Sequence, residues 1–236
     1  MQRSPIPIDA PQSLTGRHRG GGLTLARYIL VARVLHWSLW VLMTAAIILG
    51  LVGDTLPYRA GETAAQATLV YALHKTAGVA ALAVALPFAV WLFLGPRPRR
   101  PTGRVGWQTV LGRFTHWGLF FGMLLLPVTG PLLHSNGPSW GFAPILWPLP
   151  PRVPGIPDGF ASHPAVGAFH RDGWWLFAGL TAVHVVLHVK RRLDRGRRPG
   201  PSVAGLAGPD LRRLLRLSPA AGLAAWIILA AMRWPA

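Results

Sequence analysis

Repeated apolar runs of about bilayer length constrain the fold of this chain more than any other feature of its sequence. Runs at 25–52, 64–94, 105–133 and 163–192 reach the ~20 residues that an α-helix needs to cross a membrane. Of the 236 residues only 13% are charged, whereas about a quarter are charged in ordinary soluble domains. The pattern predicts an all-α integral membrane protein, built as a four-helix transmembrane bundle.

A fifth apolar run, at 217–232, leaves the number of membrane helices open. It follows a group of arginines and contains one proline and one glycine. At about sixteen residues it is short for a span, so it is a fifth membrane helix, a re-entrant segment or a surface helix. Because charged residues bracket the run on both sides, we favour a fifth C-terminal membrane helix.

The basic residues predict which side of the membrane each connection occupies. The formal net charge is +17, and the basic residues cluster in the N-terminal tail, at 95–104 and at 190–198, whereas 54–71 and 134–169 carry few. Since cytoplasmic loops are enriched in Lys and Arg, this alternation predicts a multi-pass protein with a cytoplasmic N terminus. The same topology explains the basic composition, so we expect no nucleic-acid partner.

Two connecting segments have compositions that argue against membrane spans. Residues 1–23 are polar and rich in Pro and Gly, and they lack the apolar core of a signal peptide; we expect a disordered cytoplasmic tail. The long connection at 135–162 is rich in Pro, Gly and Trp. We expect it to form an ordered exterior loop or a short interfacial helix.

Histidines within the apolar runs are the candidate functional residues, because ionisable side chains in a membrane cost free energy. His170 and His184 lie fourteen residues apart, which is close to four helical turns, so both leave one face of the helix about 21 Å apart. By the predicted topology, His184 shares the cytoplasmic side with His36, and we call these two the inner pair. His170 shares the exterior side with His74, and these two are the outer pair.

Each pair can supply the two axial imidazole ligands of one haem. Six-coordinate bis-His iron suits electron transfer, because it changes oxidation state with little change of geometry and has no open position for oxygen. The chain has no Cys, which excludes covalent haem attachment and Cys-ligated clusters or zinc. Ligands about 21 Å apart on one helix cannot share a single ion. We therefore predict two non-covalent haems, with His36, His74, His170 and His184 as iron ligands.

The remaining histidines are weaker candidates for haem ligands. His188 follows His184 by one turn and shares its face, so it is an alternative ligand or a proton group on the quinone side. His116 is a packing residue or supports the inner haem, and packing is the simpler interpretation. His134 and His163 are expected at the membrane interface, and His18 in solvent.

Motifs around these histidines occur in a characteristic order between about 25 and 195. They are RVLHW, LHKTAG, FTHWGLFFGMLLLPVTG followed by NGPSW, and FHRDGWWLFAGLTAVH. In order and depth they resemble the bacterial cytochrome b561 family, which is related to the b-type cytochrome subunits of nickel hydrogenases. The sequence departs from that pattern at FHRD, where an acidic residue is expected directly after His170; Asp172 is the nearest substitute.

The resemblance implies a four-helix core with two haem b groups, electron exchange with membrane quinone, and ligand roles for His36, His74, His170 and His184. It divides the chain into the tail at 1–23, a dihaem cytochrome b domain at 24–195 and a C-terminal extension at 196–236. The implied location is the bacterial inner membrane.

Three functions are compatible with these features. The first is electron transfer between an exterior donor and the quinone pool, with the chain serving as anchor and relay for a separate redox subunit. The second is a superoxide:ubiquinone oxidoreductase that acts alone. For that activity we expect a cationic funnel on the exterior face, with Lys75, Arg152 and Arg171 as candidates. The third is a non-redox scaffold or transporter whose histidines pack or relay protons.

Overall fold

The computed structural model describes residues 19–56, 64–94, 107–136, 143, 145–146, 163–194 and 209–234. Five helices account for nearly all of these residues: α1 (Arg19–Thr55), α2 (Ala64–Leu94), α3 (Trp107–Asn136), α4 (His163–Asp194) and α5 (Pro209–Arg233). No strand occurs within the described ranges. The all-α class is therefore confirmed.

The helix boundaries follow the apolar runs closely. Helix α2 begins and ends at the predicted residues. Helix α3 begins two residues and ends three residues later than predicted, and α4 begins as predicted and ends two residues later. Helix α1 begins at Arg19, inside the segment that we assigned to the tail. Most of that tail and most of the 135–162 connection, including Trp140 and Trp147, lie outside the described residues.

Four helices are long and apolar enough to cross a membrane by length and composition. They are the segments Tyr28–Thr55, Ala65–Leu94, Trp107–Leu133 and Arg213–Arg233. Helix α5 is therefore long and apolar enough to be a fifth membrane helix, a question that the sixteen-residue run at 217–232 left open. Helix α4 does not meet it, because its polar residues lower its mean hydropathy, although at 32 residues it is long enough.

Large apolar side chains cover much of the outer surface of the bundle. Exposed examples include Leu30, Trp40, Leu86, Val90 and Ile228, each at least 48% exposed. In water such continuous apolar exposure would be an aggregation surface. In a bilayer it is the surface that contacts lipid tails, so this pattern and the four apolar spans mark a multi-pass membrane protein.

The first four helices pack in chain order, and α5 packs against α3 and α4. The close neighbours are α1 with α2, α2 with α3, α3 with α4, and α5 with both α3 and α4. Of the described helices, α4 packs closely on α3 and α5, whereas α4–α1 and α4–α2 are not among the close pairs. Histidine rings meet in the space between α4 and the α1–α2 pair.

Helix α5 is attached to the bundle through glycines and one tryptophan. Trp226 is 1% exposed, and its indole N–H donates to the carbonyl oxygen of Gly118 at 2.8 Å. A Cβ built at Gly222 would lie 2.8 Å from the Gly118 nitrogen. Small residues let membrane helices approach closely and gain dispersion contacts, so α5 is an integral part of the bundle.

We predict that Gly222→Ala destabilises the protein. The added methyl group meets α3 backbone, and overpacking of this kind costs about 1–3 kcal/mol. Gly179→Ala is the matched control, because a Cβ there meets nothing within 4 Å and Ala is the better helix former by about 1 kcal/mol. Thermal unfolding in detergent should show a lower midpoint for Gly222→Ala only; equal midpoints would contradict the close α3–α5 contact.

Candidate functional site

Helix α4 brings one histidine to each of two other helices. The ring centroids of His36 and His184 are 6.4 Å apart, and those of His74 and His170 are 6.1 Å apart. His36 lies in the first half of α1 and His184 in the second half of α4, so these helices run antiparallel. His74 and His170 both lie early in their helices, so α2 and α4 run parallel.

The two separations suit a pair of imidazoles on opposite sides of one metal atom. A metal–imidazole bond is about 2 Å long and the ring centroid lies about 1 Å beyond the nitrogen, so two trans rings have centroids about 6 Å apart. Both observed distances agree with this value. In each pair the two rings come from different helices and are tilted or edge-on to each other rather than stacked.

In the outer pair, hydrogen bonds fix both rings. His74 Nδ1–H donates to the carbonyl oxygen of Ala46 on α1 at 2.7 Å. His170 Nδ1 lies 2.9 Å from Thr129 Oγ1 on α3. Because the Thr129 hydroxyl donates its proton to the backbone carbonyls of Leu125 and Leu126, its oxygen accepts from His170.

These hydrogen bonds leave Nε2 of each outer ring available as a ligand. A metal-binding histidine almost always donates its other ring N–H to an oxygen, which fixes the tautomer and raises the basicity of the ligand. Both histidines meet that requirement with partners from a neighbouring helix. The outer pair therefore fits a bis-His metal centre in its chemistry as well as in its spacing.

Glycines allow two helices to approach the outer rings. A Cβ at Gly50 of α1 would lie 3.0 Å from Cε1 of His74, and one at Gly130 of α3 would lie 3.5 Å from Cε1 of His170. A side chain at Gly50 would displace the His74 ring from its bond to the Ala46 carbonyl. Gly50 thus permits the contact that orients this histidine.

In the inner pair, other histidines surround His184. The ring of His116 lies 4.7 Å from that of His184 in an edge-to-face arrangement, and His116 Nδ1–H donates to the Gly112 carbonyl oxygen. His188 stacks against His184 at 6.4 Å. His184 is thus the ring of this group that the structure places against His36, with His116 and His188 as its neighbours.

A cavity of about 180 Å³ opens beside the inner pair. Gly112, His116, His184, Leu187, His188 and Arg191 line it. The Arg191 guanidinium donates to the Gln108 carbonyl oxygen at 2.9 Å, which ties the end of α4 to the start of α3. The cavity therefore combines imidazoles, a guanidinium and an apolar wall.

A buried donor also stands near the inner pair. Among the described residues, the indole N–H of Trp91 is buried without a hydrogen-bond partner. Trp91 stacks on Tyr28 and lies three residues after Phe88, whose ring is 6.3 Å from that of His36. Since an unpaired buried donor costs free energy, this N–H is suited to a polar group of a cofactor held at the inner pair.

Comparison with known proteins now identifies the family. The family model for prokaryotic cytochrome b561 matches residues 27–196, which is most of the chain and includes all four paired histidines. This chain belongs to the prokaryotic cytochrome b561 family. It is accordingly a membrane-embedded electron-transfer protein that binds haem b. No curated protein and no solved structure matches this cytochrome.

The structure describes two of the three residues expected to form a cationic funnel, Lys75 and Arg171. Lys75 Nζ donates to the Ala143 carbonyl oxygen at 2.9 Å, and its neighbour Thr76 accepts from the Leu146 N–H. Both therefore hold a segment of the 135–162 connection against α2. Arg171 is exposed on α4, and Arg152 lies outside the described residues.

Sequence reasoning missed the residues that orient the histidines. The roles of Thr129 and Ala46 depend on which helices are neighbours, and no local pattern marks them. Tyr71, which donates to Asp54 at 2.8 Å and contacts the His74 ring edge-on, also went unnoticed. A threonine followed by glycine inside an apolar run was the only available signal for Thr129.

We predict that Thr129→Val weakens haem binding by this cytochrome. Loss of a hydrogen bond to a metal-binding histidine typically costs about 10–100-fold in affinity. Thr115→Val is the matched control, since Thr115 bonds only to a carbonyl of its own helix. Haem transfer to excess apomyoglobin should be faster for Thr129→Val; equal rates for the two variants would contradict the role of Thr129.

Proposed function

We propose that this cytochrome b561 is a dihaem protein that moves electrons across the bacterial inner membrane, between an exterior donor and the quinone pool. The observation that carries the proposal is the repeated spacing of 6.4 and 6.1 Å between histidine rings at two depths. His36 and His184 would hold one haem b, and His74 and His170 the other. When bound, the haems would supply two one-electron carriers about 21 Å apart along α4.

The protein's own residues would hold the ligands and exclude alternative chemistry. Ala46 and Thr129 orient the outer rings, which keeps Nε2 of each directed away from its hydrogen-bond partner. Two histidine ligands per iron leave no position for oxygen, so the centre is suited to electron transfer alone.

The basic end of α4 supports the proposed orientation. Arg191 and Arg192 lie in its last turn, at the end of the bundle that also holds His36 and His184. Cytoplasmic ends of membrane helices are enriched in Arg and Lys. The inner pair would then face the cytoplasm, as would the N terminus.

The cavity beside the inner pair supports a quinone as the membrane partner. A quinone ring needs hydrogen-bond donors at its carbonyl oxygens and an apolar contact for its body. His188 and Arg191 offer the first, and Leu187 offers the second. Its position against His184 would bring a bound quinone close to the inner haem.

Substitution of the paired histidines tests the dihaem assignment. We expect His36→Ala, His74→Ala, His170→Ala and His184→Ala each to lose one of two haems per chain, because each would remove one of the two ligands of its haem. The double variant His36→Ala/His184→Ala should also lose only one haem, whereas His36→Ala/His74→Ala should lose both. Reduced-minus-oxidised spectra, with haem quantified per chain, measure how many haems each variant retains.

His116→Ala and His188→Ala are the controls for this series. Both residues lie beside His184 but outside the proposed pairs, so these variants should retain two haems. Loss of both haems from the His36→Ala/His184→Ala variant would contradict the pairing. A colourless unmodified protein would leave only a non-redox scaffold or transporter.

Substitution of the cavity residues tests the quinone assignment separately. Arg191→Gln and His188→Leu should raise KM for quinol about 10–100-fold, since a hydrogen bond from a charged group contributes about 1.5–3 kcal/mol. Arg192→Gln is the control, because Arg192 is exposed on the same turn. The assay follows haem reduction by quinol; an unchanged KM with two haems retained would exclude this cavity as the quinone site.

A further inference from the structure

Helix α5 lies outside the part of the chain that matches the family. The match ends at residue 196, and α5 begins at Pro209. Nevertheless α5 is packed against α3 and α4 rather than detached from them. Its contacts with α4 fall on the residues that flank His170.

Three contacts connect α5 to this turn of α4. The Trp226 ring lies 6.0 Å from the ring of Phe169, and a Cβ at Gly173 would lie 3.2 Å from Trp226. Asp172 Oδ2 pairs with Arg233 Nε at 2.7 Å. Positions 169, 172 and 173 thus face α5, while His170, between them in sequence, faces α2.

The ion pair is partly shielded from water. The Asp172 and Arg233 side chains are 26% and 43% exposed. The buried Trp226 fixes the axial position of α5, because its indole N–H is bonded to Gly118 of α3. Arg233, two turns further along α5, is thereby held beside Asp172.

We propose that α5 tunes the reduction potential of the outer haem through the Arg233–Asp172 ion pair. The inference rests on the proposed function, in which His170 is a ligand of that haem. A paired carboxylate and guanidinium nearly cancel at a distance, whereas either charge alone acts on the iron. Net charge near a redox centre shifts its potential, because ferric iron carries one more positive charge than ferrous iron. Arg233 would therefore keep the Asp172 carboxylate from stabilising the ferric state.

Opposite shifts from the two single substitutions are the expected result. Arg233→Gln leaves the Asp172 carboxylate uncompensated and should lower the midpoint potential of the outer haem. Asp172→Asn leaves Arg233 uncompensated and should raise it, while the amide still accepts a hydrogen bond. The double variant Asp172→Asn/Arg233→Gln should return the potential close to that of the unmodified protein.

The inner haem of the same molecule provides an internal reference. Redox titration of the purified holoprotein, followed optically and by electron paramagnetic resonance, reports both haems. The outer haem is identified as the signal that is absent from His74→Ala. Arg213→Gln, which removes an exposed charge at the opposite end of α5, should leave the outer potential unchanged.

Several outcomes would overturn the proposal. They are an unchanged outer potential in both single variants, shifts of the same sign, or equal shifts of the two haems. The potentials are compared only between variants that retain two haems per chain. These results would therefore leave the dihaem assignment intact. A protein without two haems would instead overturn the proposed function itself.

Discussion

The arrangement depends on keeping polar imidazole rings inside an apolar bundle. A polar group in hydrocarbon costs free energy unless it is hydrogen-bonded or bound to a metal. In the outer pair, each ring meets this requirement through a neighbouring helix: His74 through α1 and His170 through α3. These two bonds join α2 to α1 and α4 to α3. The contacts that orient the histidines therefore also hold the helices together.

Close contact between α3, α4 and α5 gives one side of the bundle a fixed frame. Gly118, Gly122 and Gly222 let the helices approach, and the Trp226 ring fills the space beside them. The α1–α2 pair approaches α4 less closely. The paired histidines bridge this wider gap, which is where a planar cofactor held by two axial ligands would fit.

The C-terminal helix α5 contacts residues of α4 that are next to His170. Asp172, which we noted as the substitute for an acidic residue directly after His170, is bound to Arg233 of α5. Its role is therefore set by a helix outside the family match.

Much of the fold could be predicted from local sequence, because a membrane helix is defined by a continuous apolar run. Helix α2 illustrates this, since Ala64 and Leu94 bound both the run and the helix. The predicted start of the first helix, at residue 25, was wrong by six residues, since α1 begins at Arg19. Gly-rich, polar sequence carries no hydropathy signal even where the chain is helical. The division into tail, dihaem domain and extension stays a prediction.

The sequence by itself determined the first four long helices and the shared face of His170 and His184, because these follow from hydropathy and helical periodicity. Only the tertiary structure decided which helices are neighbours. It makes Thr129 the hydrogen-bond partner of His170 and Ala46 that of His74. It also makes Arg233 the ion-pair partner of Asp172. Such partners come from residues distant in the chain, and their contacts depend on packing of small residues between helices, which no local pattern encodes.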